Sequence, residues 1–262
     1  MKIFRFVLSF IMCSMILNLF QIGVDAHNFN QNQDSRFFSL VKQFQIEKDL
    51  ASDDVHINKS LALDHSENAA KLFKQITSFN NNITNNSKFV NKYEPMFGGL
   101  NSTTKALVAA NLADESLKEY GRAKGLDPKL STSLLNMTMT MATSMNSENN
   151  RTLGSEHASR ALSLASDQVV RQSNFETSLS LAKSLKGLFL NYLKSAKLVS
   201  STGLMQIPME MKRNSIQDLG EGIDNLNSAL NKNAPLEEVF SIVHGQIHPN
   251  LFLGFDLKLK GN

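Results

Sequence analysis

Two histidines near the C-terminal end of the chain are the most specific polar feature of the sequence. His244 and His248 lie four residues apart, in a segment whose apolar residues recur at helical spacing. Side chains four apart share a helix face, so both imidazoles can reach one metal ion. Glu237 continues this face about two helical turns earlier. The pattern predicts a transition-metal site; the alternative is that both histidines interact with the dipole at the end of their helix.

Three methionines could add softer ligands to such a site. Met137, Met139 and Met141 alternate with threonine and alanine in one short segment. Thioether sulfur selects Cu(I) among the first-row metals. The alternative is that these flexible side chains fill irregular gaps in an apolar core. If the segment binds metal, we expect copper.

The N-terminal residues 1–26 have the organisation of a cleavable secretory signal. Lys2 and Arg5 precede the apolar stretch 6–20, and Ala26 closes a small-residue cleavage site. Cleavage there would leave His27 at the new N-terminus, where its amine and ring could chelate copper together. The alternative is an uncleaved anchor, but the apolar stretch is shorter than the roughly 17 residues that span a bilayer.

Composition excludes several classes of protein for residues 27–262. The only cysteine of the chain, Cys13, lies within the predicted signal, so we expect neither disulfides nor thiolate metal sites. The full chain has a net charge of only +3, and the absence of a clustered basic face argues against nucleic-acid binding. No second apolar run is long enough to span a membrane. The sequence contains no Gly-rich phosphate loop, no His-Glu-x-x-His and no Gly-x-Ser-x-Gly motif, so we predict no catalytic residues and no enzyme activity.

Apolar residues at helical spacing predict an all-α fold, an antiparallel bundle of about seven or eight helices. Asp34 is the expected N-cap of the first helix, and Pro249 is expected to end the last one at His248. The bundle domain spans 27–262, and a division into two sub-bundles near 146–152 is an open alternative. We expect helices at about 34–50, 55–79, 103–123, 129–145, 153–171, 175–198 and 235–248, and one that follows the loop 200–208 and carries an apolar stripe at 216–230.

Two features of these helices bear on partners and on the core. Apolar residues between Ile216 and Leu230 recur with 3-4 spacing, which is typical of a seam that packs against another helix. This seam predicts a helix-mediated protein partner or self-association. His65 lies on the apolar stripe of its helix, and we expect a packing role for it, because Asp64 points about 100° away and cannot orient it.

Asn-x-Ser/Thr sequons are frequent, as expected for an exposed chain outside the cytoplasm, and they predict a glycoprotein if the host glycosylates. Chance also produces sequons in a sequence rich in Asn, Ser and Thr. The six asparagines are Asn58, Asn82, Asn85, Asn101, Asn136 and Asn150.

Three segments together resemble a family of exported helical proteins from ammonia-oxidising archaea. These are residues 26–29 with 37–41, residues 112–121 followed by the methionine segment, and residues 242–251. The similarity covers most of the chain after the signal, and the last segment is the most specific. The resemblance implies an extracytoplasmic location in organisms that depend on copper, and it implies no particular activity.

Two functions are therefore expected. The first is an extracytoplasmic helical protein that binds or buffers a transition metal, copper being the expected ion. The alternative, of a different class, is a cell-surface structural or protein-interaction module without a ligand. Convergence of His244 and His248 with a third ligand would favour the first.

Overall fold

The computed structural model of the protein describes residues 29–79, 93, 95–126, 157–198 and 207–260. The expected all-α fold is confirmed, and seven α-helices occur within these ranges. They are α1 (Gln33–Asp54), α2 (Lys59–Phe79), α3 (Ser102–Ala123), α4 (His157–Leu188), α5 (Met209–Asn231), α6 (Leu236–Ile242) and α7 (His248–Phe255). The predicted signal and the predicted helix at 129–145 lie outside the described residues.

Helix α3 occupies the centre of the bundle. Small alanines such as Ala106, Ala109 and Ala113 are fully buried in it, which lets neighbouring helices approach closely. Helix α4 packs extensively along α3, while α1 and α2 form a hairpin whose α1 side also contacts α3. Helix α5 packs against α4 and against α7. Helices on both sides of residues 146–152 contribute to one continuous core.

Two helices continue into a π-helical turn, in which the backbone bonds from residue i to i−5. One turn (Phe189–Leu193) extends α4, and the other (Val243–Ile247) joins α6 to α7. Both turns pack against glycines of α5. A Cβ at Gly220 would lie 2.9 Å from the Phe189 ring, and one at Gly222 would lie 3.1 Å from Cβ of Gln246.

Three helix boundaries differ from the predictions. The N-cap of α1 is Asn32, whose side chain accepts from the amide of Ser35 at 2.7 Å, and Asp34 lies in the first turn. Helix α4 is continuous where a break between 171 and 175 was predicted, because Ser173 is buried in a polar cluster rather than exposed in a loop. The last helix passes Pro249, since this proline begins α7, where a missing amide N–H is tolerated.

The apolar seam between Ile216 and Leu230 is covered by other helices of the same bundle. Its apolar side chains, including Leu219 and Leu226, are buried within the bundle core, where α5 meets α4 and α7. The 3-4 spacing was correctly interpreted as helix packing, but the partner helices belong to the same chain. No helix within the described ranges combines the length and the hydropathy that crossing a membrane requires.

The two ends of the described chain lie side by side. Phe29 forms an isolated antiparallel bridge with Leu259, and the amide of Asn30 donates to the carbonyl of Lys258 at 2.7 Å. The aromatic ring of Phe29 also packs edge-on against His248, with ring centroids 5.5 Å apart. We call this contact between residues 29–30 and 258–259 the clasp. It covers one side of His248, a member of the C-terminal histidine pair.

Candidate metal sites

The predicted histidine pair converges, but among the described residues no third metal-type donor joins it. Nδ1 of His244 lies 3.2 Å from Nδ1 of His248, and both side chains are buried. The π turn positions them: its buried residues Val243 and Ile247 anchor the backbone in the core, and the imidazoles follow the same inward face. Because the helix continues to Phe255, the alternative that both histidines cap a helix C-terminus is wrong.

A carboxylate from α3 contacts His248 at Nε2, the ring nitrogen that does not face His244. Oδ1 of Asp114 lies 2.9 Å from Nε2 of His248, a close charge contact that is not aligned as a hydrogen bond. Asp114 is itself buried, which strengthens its electrostatic effect on the ring. Because Oδ1 of Asp114 lies at Nε2, Nδ1 is the ring nitrogen of His248 that faces His244. Carboxylates orient metal-binding histidines in this way in many metal sites.

The other predicted ligands do not join this pair. Glu237 is exposed on α6 while both histidines are buried, and it belongs to no group of three metal-type donors among the described residues. Its prediction rested on a regular helix, but the π turn between Glu237 and His248 changes the spacing of side chains around the axis. His27, Met137, Met139 and Met141 lie outside the described residues.

A second cluster, which the sequence analysis did not predict, surrounds His65. Nδ1 of His65 lies 2.7 Å from Oε2 of Glu47 on α1. Nε2 of the same ring lies 3.4 Å from Oε2 of Glu176 on α4 and 3.7 Å from Oδ2 of Asp54 at the end of α1. The imidazole is fully buried, whereas Asp54 and Glu176 are partly accessible, with side-chain exposures of 14% and 25%. Three helices therefore meet at one imidazole.

Hydroxyl and amide groups hold these carboxylates in place. The Thr177 hydroxyl donates to Oε1 of Glu47 at 2.8 Å, and Nε2 of Gln172 donates to Oε1 of Glu176 at 2.9 Å. The buried Ser173 hydroxyl lies 3.4 Å from Nδ1 of His65. By contrast, Oδ2 of Asp54 is buried and has no hydrogen-bond partner.

The titration of the cluster reflects burial and an excess of acid groups. Burial alone would lower the pKa of His65, but the hydrogen bond and charge of Glu47, together with those of Glu176, outweigh burial and raise it. Burial raises the pKa of Asp54, and the neighbouring charge of Glu176 raises it further. The acid groups therefore repel one another and attract a cation.

The cluster was missed because its members are distant in sequence. Asp64 is the only acid next to His65 in sequence, whereas Glu176 is more than a hundred residues away. One signal was available: Glu47 and Asp54 are seven residues apart on one face of an amphipathic helix, and Glu47 interrupts the apolar stripe. Polar residues at core positions of two helices indicate a shared polar site.

The chain was compared with known proteins at three levels. No family model, no curated protein and no solved structure matches it. The functional argument therefore depends on the geometry of the two clusters.

Proposed function

We propose that this chain is an exported, non-catalytic helical protein that binds or buffers a transition metal through His244 and His248, copper being the expected ion. The observation that carries the proposal is the 3.2 Å separation of the two Nδ1 atoms. Two imidazole nitrogens bound tetrahedrally at about 2.0 Å from one metal ion stand roughly 3.3 Å apart. The pair therefore needs little movement to bind.

The chemistry of the donors supports copper. Imidazole nitrogen suits copper and zinc, and Cu(II) has the highest affinity among divalent first-row metals for a given site. Both Nδ1 atoms must be unprotonated to bind one ion, so metal binding displaces any proton that lies between them. Residues 27–262 contain no cysteine that would compete for the ion. The signal pattern in residues 1–26 supports the proposed extracytoplasmic location.

The alternative, an interaction module without ligand, has lost its main support. It depended on the seam in α5, whose apolar side chains are buried inside the bundle. Sequons remain compatible with either function. Two of them, Asn58 and Asn101, contribute side-chain caps to α2 and α3.

The test is titration of the purified protein with Cu(I), Cu(II) and Zn(II), beside a His244→Gln/His248→Gln variant. We expect a micromolar or tighter dissociation constant (Kd) for copper that is lost in the variant. The control is His56→Gln, which removes an exposed histidine in the turn between α1 and α2 and should leave binding unchanged. Equal binding by the parent protein and the double variant, or no binding by either, would contradict the proposal.

A further inference from the structure

The cluster around His65 has the composition and geometry of a second metal centre. We propose that Nε2 of His65, with one carboxylate oxygen each from Asp54 and Glu176, binds one divalent ion of the Mn²⁺, Fe²⁺ or Zn²⁺ type. This site is separate from the histidine pair, and the argument for it does not depend on the copper proposal.

The distances suit a single ion. The three donor atoms all lie within 4.8 Å of one another. Donors bound to one ion at about 2.1 Å must lie roughly 3–4 Å apart. A small rotation of the Asp54 or Glu176 carboxylate is enough to reach this separation, and both side chains lie at the accessible edge of the cluster.

The charges of the cluster favour a divalent cation. Three carboxylates, those of Glu47, Asp54 and Glu176, surround one imidazole, so negative charge remains in excess even when the imidazole is protonated. Within the part of the chain that the structure describes, no lysine or arginine forms an ion pair with any of them. Burying uncompensated charge is costly. A bound dication removes that cost.

A third observation is the buried acceptor of Asp54. Its buried Oδ2 faces Nε2 of His65 at 3.7 Å without a donor at hydrogen-bond distance, and the hydrogen-bonding neighbour of the Asp54 side chain is itself an acid, Glu176. Buried polar atoms without partners are rare in folded proteins and call for an explanation such as an ion. An ion between Nε2 and Oδ2 would satisfy this acceptor and the ring nitrogen together.

Glu47 acts as a positioning residue rather than a ligand. Its carboxylate contacts Nδ1, the ring nitrogen opposite the proposed ion, and Thr177 holds the carboxylate from its other side. A carboxylate at this position holds a proton on Nδ1 and makes the ring a stronger donor once a metal ion has displaced any proton from Nε2. One nitrogen and two oxygens suit borderline and hard divalent ions, in contrast to the imidazole pair formed by the π turn and α7.

The experiment uses the protein carrying His244→Gln/His248→Gln, so that the copper proposal and this one can fail separately. The probes are Mn²⁺, followed by electron paramagnetic resonance, and Co²⁺, followed by its visible absorption. We expect one equivalent of either ion to bind. Asp54→Asn or Glu176→Gln should each raise the Kd by more than about tenfold, since even residues behind a ligand contribute that much.

Asp53→Asn is the matched control, because it removes the same charge from the exposed neighbour of Asp54 and should leave the Kd unchanged. Circular dichroism confirms that each variant keeps its helical content. The proposal is overturned if neither ion binds at one equivalent, or if the Asp54 and Glu176 variants bind as tightly as the parent does.

Discussion

The Nδ1 atom of His65 lies 2.7 Å from Oε2 of Glu47, and this contact joins α2 to α1 in the interior of the bundle. The other oxygen of the same carboxylate accepts a hydrogen bond from Thr177 on α4. One carboxylate therefore connects three helices and orients the only imidazole of the cluster.

Replacing Thr177 by valine should destabilise the protein. The change keeps the shape of the side chain but leaves Oε1 of the buried Glu47 without its hydroxyl donor. A buried acceptor left without a partner costs about 1–3 kcal/mol. Urea unfolding measures this loss in the free energy of unfolding. Thr177→Ser retains the hydroxyl and should cost less; equal losses in the two variants would mean that the hydrogen bond contributes nothing.

Asp114→Asn should weaken metal binding at the histidine pair. The neutral amide no longer favours the tautomer of His248 whose Nδ1 faces His244. Loss of such an orienting carboxylate reduces metal affinity by about 10–100-fold. Copper titration gives the two dissociation constants.

The control for this change is Glu115→Gln, which alters the next residue of α3, an acid paired with Lys118 on its own helix. Its copper affinity should equal that of the parent. If Asp114→Asn also binds copper normally, the carboxylate has no role in orienting the pair.

Gly220→Ala should destabilise the bundle, although alanine is the better helix former. The added Cβ would lie 2.9 Å from the ring of Phe189, so this buried ring would have to shift. Overpacking of this kind costs about 1–3 kcal/mol. Thermal unfolding provides the measurement, and adding Phe189→Leu should recover part of the loss.

Gly187→Ala is the matched comparison within α4. Nothing lies within 4 Å of a Cβ at this position. Glycine costs about 1 kcal/mol relative to alanine inside a helix, so this variant should be more stable than the parent. Destabilisation by both substitutions would show that backbone effects rather than contact with Phe189 dominate.

Glu119 should make stability depend on pH near neutrality. Burial raises the pKa of its carboxyl to about 7, despite the opposing charge of Arg122; Glu115 and Glu47 raise it further, while Lys118 lowers it. An acid whose pKa is raised on folding favours the folded state at low pH. That stability is lost as pH rises from its ordinary value of 4.5 through about 7.

Substitution by glutamine tests this titration. The pKa change corresponds to about 3 kcal/mol between the two ends of the range. Glu119→Gln should therefore flatten the dependence of the free energy of unfolding on pH between 4.5 and 7, as followed by urea unfolding at several pH values. An unchanged slope would mean that other groups cause the dependence.

Helix type and most helix positions could be predicted from local periodicity. The stripes of α2 and α5 are regular, and the structure buries them as expected. The errors in the predicted helix ends have local causes that cannot be inferred from the spacing of apolar residues. Asn32 and Asp34 are both good N-caps, and the choice depends on where α1 meets α3. Pro249 usually ends a helix, but here it follows a π turn that resets the hydrogen-bond register.

The candidate sites show the same difference between local and long-range information. Donors that are close in sequence could be predicted, and donors that packing brings together could not. His244 and His248 were found because both donors lie on one short segment. Asp114 was not found, and neither was the cluster of His65, Glu47 and Glu176, because their proximity is created by the packing of helices distant in sequence. The exposed Glu237 shows the opposite error, since a shared helix face does not place every member of that face in the core.

The clasp between Phe29 and Leu259 has a consequence for the order of events during synthesis. The hairpin of α1 and α2 can form as soon as it leaves the ribosome, because its contacts are local. The pairing of Phe29 with Leu259, and its packing against His248, must wait until more than two hundred further residues have been made. Contacts of such long sequence separation form slowly because loop closure costs entropy. The N-terminal edge of the bundle is therefore the last part to close, and a nascent chain exposes Phe29 until then.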